Sequence, residues 1–173
     1  DYFDGAALTE HGDFLGRKAL KDIRLLPKVL CKGTERDISH IILGKKTDLP
    51  FGIAPMGMCN LSNPKADKFI AKIGPKYNVP VCFSTMASTS MEKTFNISGE
   101  NGWFQLYVYD DPDDGLKMAK RAEIAGYTTL ILTVDVPDLG RRPRELRHNF
   151  SVPWWPTFTQ FFDCALHPKW SLS

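Results

Sequence analysis

A parallel α/β fold is predicted for this chain of 173 residues by three observations. From Leu49 onward, short apolar runs bounded by Pro or Gly alternate with amphipathic stretches. The amphipathic stretches carry helix start and stop signals. The last run, Thr128 to Val134, is apolar in the way of a strand buried on both faces of a sheet.

The elements follow in order. Residues before Leu49 read as a preface: a short polar helix around Phe14 to Leu20, extended segments at Pro27 to Cys31 and Ile38 to Leu43, and a turn marked by Gly44 and Lys45-Lys46. The run Pro50 to Pro55 is the first strand, and Lys65 to Tyr77 is its helix, with Ala66, Phe69, Ile70 and Ile73 at helical spacing. Val79 to Thr85 is the second strand, followed by a helix opened by Ser90 with Glu92 in its first turn. Trp103 to Tyr109 is a third strand rich in aromatic and β-branched residues. Pro112, behind Asp110-Asp111, begins a helix that stops at Gly126, and Thr128 to Val134 is the fourth strand.

Repeated β-α units imply parallel strands with right-handed crossovers. Four strands in about ninety residues match the pace of a (β/α)8 TIM barrel, which closes at about 250 residues. The expected architecture is therefore the first half of such a barrel with an N-terminal extension. Residues 1–173 form the N-terminal portion of one barrel domain, with a pre-barrel segment at 1–48, four β/α units at 49–135, and a loop region from 136 that holds no further β-α unit.

Composition narrows the partners. A hydrophobic content of 43% supports a real core. Lys plus Arg number 22 against 20 for Asp plus Glu, and a net charge of +2 gives no bulk-charge reason for a nucleic-acid partner. No apolar run approaches the roughly 20 residues of a membrane span. The opening Asp1-Tyr2-Phe3-Asp4-Gly5 has neither the basic nor the apolar part of a signal peptide, so neither a spanning nor an exported protein is expected. Cys31, Cys59, Cys82 and Cys164 form no CxxC pair, and His11, His40, His148 and His167 are scattered. Reduced thiols and no metal site are expected. The acceptor triplets at Asn60, Asn96 and Asn149 read as chance outside a secreted chain.

In a parallel barrel the ligand lies at the carboxyl ends of the strands. The first strand ends Ala54-Pro55-Met56-Gly57, where glycine either lets backbone approach a flat ligand or simply makes a turn. The second ends Ser84-Thr85-Met86-Ala87, small and hydroxylated, or else a helix cap. On the third, Gln105, Tyr107 and Tyr109 alternate and so share a face, an amide and a phenol suited to a polar ring edge. On the fourth, Thr133 and Asp135 share a face, the carboxylate being either the partner of a histidine base or a turn cap. Arg141-Arg142 supply a guanidinium able to clamp a carboxylate, although Arg144, Arg147 and Lys169 leave a solvated basic loop as the alternative.

These motifs carry a resemblance. Trp103-Phe104-Gln105-Leu106-Tyr107-Val108-Tyr109, Leu132-Thr133-Val134-Asp135-Val136-Pro137, Leu139-Gly140-Arg141-Arg142, Ile53-Ala54-Pro55 and Asp1-Tyr2 resemble the FMN-dependent 2-hydroxy-acid dehydrogenase and oxidase family, in order through almost the whole chain. The resemblance implies FMN as cofactor and oxidation of an L-2-hydroxy acid, lactate-like or mandelate-like, to the 2-oxo acid. It implies that Tyr2 and Arg142 bind the substrate carboxylate and that Tyr107 contacts the 2-oxygen. Asp135 pairs with the catalytic histidine, Met56 and Gly57 lie against the flavin N5 side, and Ser84, Gln105 and Thr133 contact the flavin ring. Ala6 departs from the family's second glycine, Gly57 resembles the dehydrogenase branch, and Met86 stands where glycolate oxidase has tryptophan. Residues 163–173 resemble the family's lid-loop region, so 136–173 is read as the start of an active-site lid. The family's histidine base and phosphate loops lie beyond Ser173, which leaves a catalytically silent half-barrel used for assembly or interaction as the alternative function. Tetramers are expected by the same resemblance, and a cytoplasmic location is expected from the reduced thiols and the opening residues. The segment Val152 to Phe162, with Trp154, Trp155, Phe158, Phe161 and Phe162 beside basic residues, suits peripheral contact with the inner face of a membrane. Packing of those rings on other protein is the alternative.

Overall fold

The computed structural model describes residues 3–30, 33, 36–108, 111–136, 140–147 and 157–171. The chain divides into two compact units, one made of residues 1–35 and 137–171, the other of residues 36–136.

The first unit opens with α1 (His11–Asp22), a solvated helix with no buried residue. Asp13 in its first turn pairs with Arg17 at 2.8 Å, the i,i+4 geometry that adds a few tenths of a kcal/mol. Residues 23–29 follow without regular structure.

The second unit begins with a hairpin of β1 (His40–Ile42) and β2 (Lys45–Thr47), antiparallel through Ile41 opposite Lys46. Leu43 and Gly44 both have positive φ, 49° and 79°, the backbone of a two-residue hairpin turn whose twist matches its strands. Lys45 and Lys46, expected to mark the turn, lie instead in β2. Two residues in the left-handed region suffice to reverse the chain, and the lysines are free to pair.

The main sheet is parallel, in the order β3 (Val81–Ser84), β4 (Gly102–Tyr107) and β5 (Leu130–Thr133). The expected first strand is reduced to a single bridge from Ile53 to Val81, held by Ile53 N to Pro80 O at 2.9 Å and Cys82 N to Ile53 O at 3.0 Å. Pro50 and Pro55 have no N–H for a ladder, and Gly52 presses on Pro80 so closely that a Cβ there would stand 2.6 Å from its carbonyl oxygen.

Three helices complete the units: α2 (Ala66–Tyr77), α3 (Met91–Ser98) and α4 (Pro112–Ala125). The ends of α4 follow from local chemistry. Asp111 caps it by accepting from Asp113 N at 2.9 Å, and Pro112 occupies the first turn. Gly126 ends it in the left-handed conformation at φ 109°. The core lies between these helices and one face of the sheet: Val81, Phe83, Phe104 and Leu106 meet Ala71, Met91, Ala122 and Tyr127. Tyr127 is its hub, with ring centroids 5.0 Å from Phe95 and 5.8 Å from Phe104. Its hydroxyl donates to Met91 O at 3.0 Å and meets Thr94 Oγ1 at 2.8 Å.

The fourth expected strand forms but is not buried on both faces. Leu130 and Leu132 are 47% and 51% exposed, alternating with half-buried Ile131 and Thr133. Hydropathy registers what a strand can bury; β5 pairs with β4 alone and forms the edge of the described sheet.

From residue 140 onward the regular elements among the described residues are helices of the first unit: α5 (Pro143–Arg147), α6 (Phe158–Leu166) and α7 (Pro168–Ser171). A capping box starts α6, with Thr157 N donating to Gln160 Oε1 at 2.9 Å and Gln160 N to Thr157 Oγ1 at 3.4 Å.

Candidate active site

Residues alternate across the sheet with period two. The odd positions of β3 and the even positions of β4 face the helices, so Cys82, Ser84, Trp103, Gln105, Tyr107, Ile131 and Thr133 share the opposite face. The amino-terminal half of that face is apolar, a groove of about 300 Å³ lined by Ile53, Cys82, Trp103 and Ile131 among others. Burial pushes the Cys82 thiol up to about 12, so it is an inert apolar group at neutral pH.

The carboxyl-terminal half is polar and fully directed. Gln105, 1% exposed, accepts at Oε1 from Ser84 Oγ at 3.0 Å and from Thr85 N at 3.2 Å, and donates from Nε2 to Thr133 Oγ1 at 2.8 Å. A backbone N–H can only donate, so Thr85 fixes which end of the amide is oxygen. Ser84 Oγ accepts from Met86 N at 3.0 Å and spends its hydrogen on Gln105, leaving an acceptor lone pair. Thr133 accepts from Gln105 and keeps its hydroxyl hydrogen to give. Three residues expected to meet one ring are thus assembled into one wall.

Beside this wall the loop after Ile53 approaches the loop after β3. Met58 N donates to Met86 O at 2.8 Å, and a Cβ on Gly57 would stand 3.0 Å from the Met86 Cβ. Met56 and Met86, 46% and 45% exposed, present apolar side chains here. A flat polar-edged ring fits these residues: glycine removes bulk where a plane would lie, and the wall offers donors from Gln105 and Thr133 and an acceptor from Ser84.

Tyr107 is half-buried at the end of β4, its N donating to Thr85 Oγ1 at 3.1 Å. Asp135 is exposed just past β5. Tyr2 and Tyr109 lie outside the described residues, as do Trp154 and Trp155.

Arg142 belongs to the other unit. Its Nη2 donates to Gly5 O at 2.7 Å, and its Nη1 stands 2.7 Å from Glu145 Oε1, a charge contact whose angles fall short of a hydrogen bond. Arg144 Nη2 pairs with Glu10 Oε2 at 2.6 Å, and Leu8 N donates to Arg141 O at 2.9 Å. Arg142 and Arg144 are therefore built into residues 4–10 rather than solvated, whereas Arg141 and Arg147 are exposed. Sequence reasoning missed Glu145 and Glu10. The first was readable as an i,i+3 pair with Arg142; the second left no signal, 134 residues from its partner.

The profile of FMN-dependent dehydrogenases matches residues 1–173. Among curated relatives, the (S)-mandelate dehydrogenase of Pseudomonas putida is 34% identical over 172 residues, covering 99% of this chain and 44% of that protein. An L-lactate dehydrogenase of Ectopseudomonas mendocina is 31% identical over 170 residues, 98% of this chain and 45% of that protein. Among solved structures, a monotopic membrane protein, (S)-mandelate dehydrogenase, aligns with a TM-score of 0.89 at 34% identity, covering 99% of this chain and 46% of that one. The chain spans about half the length of the curated relatives it matches, and its parallel β/α units are the first half of a TIM barrel. With the flat-ring cradle and the match along its whole length, the chain belongs to the FMN-dependent dehydrogenase family.

Proposed function

We propose that the whole protein oxidises an L-2-hydroxy acid, lactate-like or mandelate-like, to the 2-oxo acid. The observation that carries this reading is the directed chain Ser84–Gln105–Thr133 on one face of three neighbouring strands. Bound FMN would supply the two-electron acceptor for the hydride or its equivalent that leaves the substrate α-carbon. Ser84, Gln105 and Thr133 would hold its polar edge, Ser84 as an acceptor and the other two as donors whose directions the Thr85 and Met86 amides help to fix, and Met56 and Gly57 would line its N5 side. Tyr107 holds the substrate 2-oxygen. Tyr2 and Arg142 bind the carboxylate, Arg142 through a guanidinium pre-oriented by Gly5 and Glu145. Asp135 orients a histidine base and stabilises its charged form.

Within this reading residues 1–48 precede the barrel, 49–135 supply its first four β/α units and 136–173 begin the lid. The assembly is a homotetramer, placed in the cytoplasm at the inner face of a membrane. Support for the membrane contact comes from α6: Phe158, Phe161, Phe162 and Leu166 recur at helical spacing and are 87%, 61%, 65% and 78% exposed. No helix among the described residues is long and apolar enough to cross a membrane, and the contact proposed for α6 is a peripheral one.

The test is anaerobic mixing of the full-length, FMN-loaded protein with L-lactate or (S)-mandelate. Bleaching of the flavin by either, abolished in Tyr107→Phe/Arg142→Met, is expected. A flavin that stays oxidised with every 2-hydroxy acid tried would leave the protein a silent member of its family.

A further inference from the structure

The loop after Ile53 and the loop after β3 are joined by contacts that none of the roles above uses. Met58 N donates to Met86 O at 2.8 Å and Asn60 N to Ser88 Oγ at 3.4 Å. Beside them lies Asp67, the second residue of α2, only 2% exposed. Its Oδ2 accepts the Thr89 amide hydrogen at 2.7 Å, and its own amide donates to Asn60 Oδ1 at 3.3 Å. The same carboxylate stands against the Cys59 thiol, which burial first and the Asp67 charge second push up to about 11. Cys59 Sγ also reaches Met56 O at 3.7 Å. One carboxylate therefore accepts from Thr89 in one loop and lies beside Cys59 of the other, one residue from Met58 and two from Gly57.

Helix stability does not explain this placement. An acid in the first turn acts on the helix dipole from the surface, as Asp113 and Asp114 of α4 do, both exposed. Burying a carboxylate is costly unless hydrogen bonds compensate it, and the compensation ties it to specific partners. Here the carboxylate accepts from the backbone of one loop, and the other loop meets the same residue through Asn60, whose side chain accepts from the Asp67 amide.

We propose that Asp67 is a positioning residue that fixes the Met56–Met58 backbone against the Met86–Thr89 loop and so sets how closely that backbone lies on the flavin. This rests on the placement of Met56 and Gly57 against the flavin proposed above. Asp67 touches neither flavin nor substrate; it acts through Cys59 and Thr89.

The experiment compares Asp67→Ala, Asp67→Asn, Cys59→Ala and Tyr127→Phe in the full-length, FMN-loaded protein. The readouts are the visible flavin band, its midpoint potential, the rate of flavin reduction at saturating (S)-mandelate or L-lactate, and the melting temperature. Asp67→Ala should displace the band and potential and slow reduction at least tenfold at an unchanged half-saturating concentration. Asp67→Asn keeps an oxygen for the Thr89 amide and should return the rate to within threefold. Tyr127→Phe loses buried hydrogen bonds on the helix side of the sheet and should lower the melting temperature alone. An Asp67→Ala protein that only melts early, like Tyr127→Phe, overturns the proposal, as does an Asn variant that restores nothing. If Asp67→Ala does not fold, Cys59→Ala decides: a displaced band supports the proposal and an unchanged band and potential refute it. If the wild-type flavin is reduced by no 2-hydroxy acid, the functional reading fails, while band and potential still judge Asp67.

Discussion

Gln105 Nε2 donates to Thr133 Oγ1 across 2.8 Å, joining β4 to β5 through side chains where the ladder between them ends. With Thr85 N and Ser84 Oγ on its other end, the amide cannot turn over without setting donor against donor.

Truncating the two ends of this bond should therefore have unequal effects. Thr133→Val leaves one Nε2 hydrogen unpaired at a half-buried site and is expected to cost about 1 kcal/mol. Gln105→Leu leaves the Ser84 and Thr133 hydroxyls both without their partner, while Thr85 N keeps its bond to Gln105 O at 3.0 Å, and should cost roughly 2 to 4 kcal/mol. Urea unfolding of the full-length protein measures both, and FMN titration should show weaker binding in each. Equal stabilities for the two variants would mean the chain is not directional.

Arg142→Met is expected to lower kcat/KM by a factor corresponding to roughly 2 to 5 kcal/mol, mainly through KM. Arg144→Met breaks the pair with Glu10 and should reduce stability while leaving KM unchanged. Arg147→Met should do little. Steady-state kinetics beside thermal melts separate the three, and a KM effect from Arg144→Met as large as that from Arg142→Met would argue that both act through packing.

Stability should fall in alkali in a window set by buried acids. Burial, partly offset by the Thr94 hydroxyl, pushes the Tyr127 phenol up to about 12, and burial pushes the Cys82 thiol to about 12. Both groups are held neutral in the folded state, so their contribution is intact below the unfolded values, near 9 for the thiol and 10 for the phenol, and is lost as pH rises toward 12. A two-unit shift corresponds to roughly 3 kcal/mol at the end of that range. Urea midpoints from pH 8 to 11 should show the decline, and Tyr127→Phe should flatten the part above pH 10. An unaltered slope in that variant would assign the loss to other groups.

Membrane flotation of the full-length protein should recover the wild type with anionic vesicles and Phe158→Ser/Phe161→Ser/Phe162→Ser in the soluble fraction, since three large rings leave one helix face. Equal recovery of both would assign that face to protein packing.

The parts of the fold legible in the sequence are those decided locally. Pro112 and Gly126 bound α4 because each acts within one turn, and period two alone puts Gln105 and Tyr107 on one face. The roles along that face came with the family resemblance. What was not legible depends on neighbours. Leu130 and Leu132 carry the hydropathy of a doubly covered strand, yet exposure is set by what pairs beyond β5. Asp67 looked like any first-turn acid, because the loop that buries it arrives 22 residues later. Glu10 and Arg144 meet only once the chain has folded.

The near-contact of Gly57 with Met86 has an evolutionary consequence. A methyl group added at position 57 would stand 3.0 Å from the Met86 Cβ, so the neighbouring loop would have to give by a few tenths of an ångström against the Met58–Met86 hydrogen bond. Changes at these two positions are therefore epistatic: Gly57→Ala and Met86→Gly, which removes that Cβ, should depart from additivity, whereas Met86→Ala keeps the Cβ and should relieve nothing. A lineage that gains a side chain at position 57 must therefore shift the backbone at residue 86 or remove its Cβ, so the two positions change together whatever the size of the side chain beyond that Cβ.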